Sequence, residues 1–487
     1  MRSAAAPGPN PFVAINGRQR VVLLGAFAAY LVMIAIARTQ DPTPTDDWIP
    51  AALLLYVGLV AAPLVFLRRT LGWFHPLVFA SLLRLVDLLR RAGLYAWGLD
   101  WHRALPATAD ELSDLIELQL LLNALAVACH YAGYFLGPRL PVPRLSFGTP
   151  RAMISKLMTL LLVALTAFAA YIANQGGLDA HIGSWAEGRH GQIAGQHYWF
   201  AIVNLGIPAC WAWLAIRRSA LRSPLFWGAV AMTLAIAFLL SGSRGSAVYA
   251  AVVGLIISML QVQRVSYVRV LALAIVAVYA ITVLGSFRRA GWSGEPDLEK
   301  AADAPVLDTV MSGAQGELAE RSSSADGALP IFARVPDEVP MLYGQSYLAI
   351  VTLPIPRGLF PEKPTLVDGQ VGRVFFGLDA GVPAGGVGEA YWNFYIPGVA
   401  VVFFLYGMFH AWIGRAFTRH SRQPAMIAMY ASTLLLFRDP AGLPLVQWLL
   451  VQVPLVVILV WDGALGFGRG PAPRGAAFVR TSPGSPG

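Results

Sequence analysis

The stretch FLLSGSRGSAVYA (238–250) sets an arginine between two apolar runs. A guanidinium at the centre of a bilayer costs roughly 2.5–3.5 kcal/mol even on the mildest scale. Arg244 therefore belongs at a water interface, in a polar cavity or against an anion. Ser241, Gly242, Gly245 and Ser246 permit a close turn with exposed amides, a small anion nest. Snorkelling from a tight hairpin would explain the same residue without a ligand. A second stretch, VGEAYWNFYIPGVAVVFFLYG (387–407), places Glu389 and Asn393 four residues apart, on one face of a helix. A carboxylate beside a cationic site could act as a general base. At a helix N-terminus it would also satisfy orphan amides and the dipole. Asn393 alone could simply bond a neighbouring helix. Further cations are Arg189, Arg288, Arg289, Arg334, Arg357, Lys363, Arg373 and Arg438. The planar fork of arginine suits phosphate and carboxylate groups.

Other chemistries find little here. His181, His190 and His197 share one segment, but their spacing matches no zinc motif, and surface or substrate-contact roles fit them better. The sequence has no P-loop, no Rossmann glycine pattern and no Gly-x-Ser-x-Gly elbow. Cys129 and Cys210 both fall inside apolar runs, which argues against a disulfide framework or redox chemistry. No metal and no cofactor is expected.

The elements that must position these residues are membrane helices. The 487-residue chain is 56% hydrophobic and 13% charged, with mean hydropathy +0.59. Soluble domains carry about 25% charged residues, and a spanning helix needs about 20 mostly apolar ones. Twelve spans are predicted: 21–37, 50–67, 71–89, 112–136, 154–173, 199–216, 225–240, 246–262, 269–286, 389–411, 424–437 and 443–461. The first resembles a cleavable signal but reads better as an uncleaved helix. The third carries Arg84 and Asp87 one turn apart, a pair that could neutralise itself within the helix.

Lys/Arg bias sets the orientation. The N-terminus and the loops holding Arg68, Arg139, Arg217, Arg264 and Arg415 are basic, as is the tail from 463. They alternate with acid-containing segments, so both termini are expected in the cytoplasm. The net charge of +9 then reflects membrane orientation, not nucleic-acid binding. The chain divides into nine spans (1–286), one long outer loop (287–388), three spans (389–462) and a Gly/Pro/Ser-rich tail (463–487) expected to be disordered. Within the loop, 293–328 is acidic and polar. Residues 329–388 are rich in Pro, Gly and aromatics, and Pro354, Pro356, Pro361 and Pro364 stiffen the backbone around Arg357 and Lys363.

The order SGSRGS, a long outer loop with YGQSYL and LPIPRGLFPEKP, then GEAYWNFYIPG opening a late helix, resembles the Wzy-type O-antigen and capsule repeat-unit polymerases. The stretch 175–198, with Arg189, fits the same pattern. The resemblance implies a GT-C-like membrane glycosyltransferase in the bacterial inner membrane. Such an enzyme transfers a growing glycan from its lipid diphosphate onto a new undecaprenyl-diphosphate-linked repeat at the periplasmic face. On that reading Arg244, Arg288 and Arg438 meet the diphosphate, and Arg189, Arg357, Lys363 and Arg373 hold the diphosphate or an acidic glycan. Glu389 deprotonates the acceptor hydroxyl, Asn393 lies beside it, and aromatics such as Tyr391 stack on sugars. Partners are the lipid-linked oligosaccharide, membrane lipid and a chain-length regulator protein. Related O-antigen ligases carry a His-Asn pair where this chain has Glu389 and Asn393. A ligase and a lipid-linked oligosaccharide transporter are the competing readings.

Overall fold

A computed structural model of the chain describes residues 10–40, 48–97, 109–143, 145–148, 153–183, 197–241, 244–276, 278–279, 327–353, 355, 359–378 and 381–467. The described residues are mainly helical, with one two-residue antiparallel ladder and an isolated Ala14–Gly72 bridge. Inside a bilayer the backbone has no water to bond, so long apolar runs satisfy it internally as helices.

In chain order the helices are α1 (Gly17–Gln40), α2 (Ile49–Ala61), α3 (Pro63–Phe66), α4 (Pro76–Arg90), α5 (Ala92–Trp97) and α6 (Ala109–Leu136). They continue with α7 (Met153–Asn174), α8 (Leu178–Gly183), α9 (His197–Val203), α10 (Gly206–Ile216), α11 (Pro224–Ser241) and α12 (Arg244–Val262). After these come α13 (Tyr267–Val276), α14 (Ala328–Arg334), α15 (Gln345–Thr352) and α16 (Val367–Phe376). The last are α17 (Gly385–His420), α18 (Pro424–Leu436) and α19 (Gly442–Trp461).

Among the described residues six helices are long and apolar enough to cross a membrane: Gly17–Thr39, Trp48–Phe66, Glu111–Leu136, Ile154–Asn174, Gly385–His420 and Gly442–Trp461. Five shorter apolar helices, Ala201–Ile216, Pro224–Leu240, Val248–Val262, Tyr267–Val276 and Pro424–Leu436, coincide with other expected spans. The expected span 71–89 is instead the amphipathic α4, preceded by a loop that pairs with the N-terminal segment: Phe74 N–H bonds Phe12 O at 3.1 Å and Trp73 N–H bonds Val13 O at 3.0 Å. The second half of span 269–286, the acidic stretch 293–326 and the tail from 468 lie outside the described residues.

α17 is the shared wall of two packed halves. Its residues 390–406 join a core built from α1, α2, α4, α6, α14 and α16. Its residues 413–417 join a second core with α10, α12, α18 and α19. Its most extensive partner is α6. The two backbones approach so closely that a Cβ at Gly133 would overlap the Phe404 carbonyl, and one at Gly407 the His130 carbonyl. Small residues at such crossings are how membrane helices gain packing contact.

The basic segments gather at one end of the bundle. Trp412 Nε1 bonds Pro141 O at 3.1 Å, and Leu145–Ser146 pairs with Gly466–Phe467. Lys156 meets Asp462 at 3.2 Å, and Phe12 packs on Phe417. The N-terminal end of α17 lies with α14, α15, α16 and the start of α19, so these three short helices form a folded cover over that end.

Candidate functional site

Glu389 and Asn393 share one face of α17, as their spacing requires, and both are fully buried. The Ser346 hydroxyl, from α15, donates to Glu389 Oε1 at 2.6 Å. The Gly442 N–H, at the first turn of α19, donates to Glu389 Oε2 at 2.6 Å. Asn393 Nδ2 donates to Ser346 Oγ at 2.7 Å and to the Glu389 carbonyl at 2.8 Å, while its Oδ1 accepts from Gly344 N–H at 2.9 Å. Every polar atom of the Glu389 and Asn393 side chains is engaged.

The carboxylate does cap a helix N-terminus, but that of α19 rather than its own. Asp439 returns the arrangement, accepting from Gly386 N–H on α17 at 2.7 Å. An amide in the first turn of α19 is thus satisfied by a carboxylate of α17, and one in the first turn of α17 by a carboxylate of the segment leading into α19. Both contacts leave little room for a side chain. A Cβ at Gly442 would lie 3.1 Å from Glu389 Oε1, and one at Gly386 would collide with Asp439.

Asp368 of α16 is the third acid of this end. Burial raises its carboxyl to about 6, with Asp439 adding to the shift and the Ala384 N–H at 3.4 Å opposing it. Burial also raises Asp439, against the Gly386 amide, Arg438 and Arg84. Tyr347 on α15 is pushed upward by burial and then by Glu389 and Asp439, and its hydroxyl is buried without a hydrogen-bond partner.

Arg438 stands beside Asp439. Its guanidinium lies 4.8 Å from the Tyr249 ring centre, and its Nη1 is buried without a hydrogen-bond partner. Tyr249 belongs to α12, the helix that Arg244 begins, so Arg438 packs against that helix. The other predicted cations divide. Lys363 Nζ donates to Leu353 O at 3.2 Å and Ile355 O at 2.8 Å, bracing its own loop. Arg373 is exposed and contacts the Gly369 carbonyl of its own helix at 3.4 Å. Arg189, Arg288, Arg289 and Arg357 lie outside the described residues, as does the side chain of Arg244. Tyr391 is 2% exposed, its ring set between Phe332 and Tyr395 at centroid distances of 5.0 and 4.6 Å. Trp392 donates to Pro340 O at 3.1 Å inside the same core. In this conformation both aromatics pack the protein.

α17 breaks beside the site. Phe394 (φ −146°, ψ 20°) and Tyr395 (φ 58°, ψ −152°) leave helical geometry. Pro397 explains the position, because its ring excludes a helical bond to the Asn393 carbonyl. Residues 342–344 take up the freed groups: Leu342 N–H bonds Trp392 O at 3.0 Å, and Tyr343 N–H bonds Asn393 O at 3.2 Å. Tyr343 and Tyr395 both hold positive φ without being glycine, a concentration of backbone strain seen at functional sites.

Ser346, Asp368, Asp439 and Gly442 were not singled out from the sequence. Ser346 sits inside the quoted YGQSYL, but nothing local tells that serine from a turn residue. A separate polar cluster lies between α4, α6 and α17. Arg84 turns to His130 Nδ1 at 3.4 Å instead of pairing with Asp87, which Arg90 and Arg91 hold at 3.5 and 3.4 Å. His130 Nε2 meets His410 Nδ1 at 3.0 Å. His181, expected at a surface, is buried, with Nε2 bonded to Leu239 O at 2.8 Å. Among the described residues no group of three or more His, Cys, Asp or Glu could hold a metal ion. No family model, curated protein or solved structure matches the chain.

Proposed function

We propose that this protein is a polytopic membrane glycosyltransferase that polymerises lipid-diphosphate-linked glycan repeats at the outer face of a bacterial inner membrane. The observation that carries the reading is Arg438. A guanidinium with a buried, unpartnered N–H stands beside buried carboxylates where the N-termini of α17 and α19 meet, against the helix opened by SGSRGS. The ordered motif set supports the family resemblance, and the apolar helices support membrane embedding. Twelve spans, a GT-C-like arrangement and cytoplasmic termini belong to this proposal.

In the reaction, an acceptor sugar hydroxyl attacks the anomeric carbon of the growing glycan. The anomeric C–O bond to the diphosphate breaks, and the electron pair leaves with the lipid diphosphate. Arg438, with Arg244, Arg288 and the loop cations, offsets that charge, since preorganised charge is often the largest catalytic contribution. Glu389 takes the hydroxyl proton. To do so it must release Ser346 or Gly442, so the substrate-bound site is opened relative to this sealed one.

Reconstituted protein given undecaprenyl-diphosphate-linked repeats should produce a ladder of longer lipid-linked glycans. Inserted Glu389→Gln protein should produce none, and normal ladders from it would remove the base assignment. A transporter of lipid-linked sugar is the second reading. It is favoured by the Arg84–His130–His410 cluster inside the bundle and by the broken α17, since both features occur in transporters. Flipping without elongation would select it. Elongation onto a lipid A core or a protein, with no new lipid-linked ladder, would select a ligase.

A further inference from the structure

An opening in the bundle lies away from Glu389. A cavity of about 600 Å³ lies at the opposite, basic end, where α10, α12, α17 and α18 meet. Arg218 and Arg422 stand on its polar side, and both are exposed. Ile216, Leu260 and Ile427 form an apolar side. No carboxylate lines the cavity among the described residues. The described segments that frame it, 10–20, 217–224, 262–270 and 415–423, contain no Asp or Glu at all, so they offer these guanidiniums no internal counter-ion.

Gln261 adds a second, independent observation. Its Nε2 donates to Leu214 O at 3.0 Å and Ala215 O at 2.6 Å, which fixes the amide against the end of α10. Its Oε1 is buried and has no donor. The cavity thus combines two unpaired guanidiniums, one fixed acceptor lacking its donor, and an apolar wall. Guanidiniums pair with phosphate oxygens in bidentate fashion. An acceptor short of a donor takes a hydroxyl. An apolar wall takes the first carbons of an acyl chain.

We propose that this cavity is a binding site for the phosphodiester headgroup of a hydroxyl-bearing anionic phospholipid, of the phosphatidylglycerol type. The phosphate is held by Arg218 and Arg422, and a headgroup hydroxyl donates to Gln261 Oε1. The site lies at the far end of α17 from Glu389 and is independent of the glycan chemistry proposed there. Basic pockets between membrane helices are a general means of holding anionic headgroups.

The test uses the full chain in neutral detergent, with native mass spectrometry and thermal unfolding as readouts. Titrated phosphatidylglycerol should give a saturable one-lipid adduct and raise the unfolding temperature; phosphatidylcholine should give neither. Replacing Arg218 and Arg422 together by Gln should weaken retention by about tenfold or more, with folding intact because both side chains are exposed. Arg264→Gln, a basic-loop change outside the cavity lining, should leave retention unchanged. Equal weakening by Arg264→Gln would show diffuse surface charge and overturn the proposal. So would equal retention of phosphatidylcholine. Millimolar inorganic phosphate is the arm that separates sources. Protection by phosphate alone, lost in the double variant, would keep the phosphate site and assign it to a soluble ligand.

Discussion

Ser346 is the pivot of the Glu389 cluster, because one hydroxyl donates to the carboxylate and accepts from the Asn393 amide. Replacing it with Ala leaves two buried groups short of a partner. Each such group costs about 1–3 kcal/mol, so Ser346→Ala should lower the unfolding midpoint clearly in detergent, and Ser346→Thr should recover part of the loss. Asp368 makes a different prediction. Its carboxyl rises from 3.8 to about 6 in the folded protein, so the native state binds more protons than the unfolded chain across that interval. Its contribution to stability is therefore fully present below the unfolded value and is lost as pH rises through the folded one. An unfolding series from about pH 4 to about pH 7 should show wild type losing stability that Asp368→Asn, permanently neutral, does not lose. Parallel curves would discard the assignment. Of these residues, Glu389 and Asn393 were legible in the sequence, since helical spacing is local. Ser346, Asp368 and Asp439 were not, because their importance comes from contacts 43, 16 and 53 residues away.

At the scale of elements, the apolar runs were readable because bilayer thickness alone demands them. α4, expected as a span, is not among the helices long and apolar enough to cross. Its hydropathy is interrupted by Arg84, Asp87 and Arg90, and Arg84 is stabilised by His130 on another helix, which no local pairing rule anticipates. Much of the proline-rich stretch around Arg357 lies outside the described residues of the 287–388 segment. The three short helices of that segment, closing over α17, depend on long-range packing. The α6–α17 crossing carries a sharp test. A methyl group at Gly407 meets the His130 carbonyl, a backbone atom that cannot move aside cheaply. Gly407→Ala should therefore destabilise the bundle by roughly 1–3 kcal/mol. Gly58→Ala, whose added Cβ meets nothing within 4 Å, should be neutral or slightly stabilising through helix propensity. Similar midpoints for the two variants in a detergent unfolding assay would mean that the helices are further apart than described.

At the scale of the whole molecule, charge and geometry sort the chain in the same way. Segments that the sequence marks as basic are brought into mutual contact at one end of α17, while Ser346, Asp368 and Asp439 collect at the other. Beyond its break α17 runs from 396 to 420, about 37 Å of helix at 1.5 Å per residue, more than a hydrocarbon core of about 30 Å. On the proposed topology its two ends face opposite aqueous phases, and the Lys/Arg bias would put the Arg419 end in the cytoplasm. Single cysteines at exposed positions make this measurable: Glu362→Cys beside Lys363, and Arg419→Cys near the end of α17. The native thiols interfere little, since Cys210 is buried and Cys129 is half-buried in α6. A membrane-impermeant maleimide applied to intact spheroplasts should label Glu362→Cys at once and Arg419→Cys only after permeabilisation. The reverse pattern would turn the bundle over. The Glu389 cluster would then face the cytoplasm, and a reaction on lipid-linked glycans at the outer surface would be impossible.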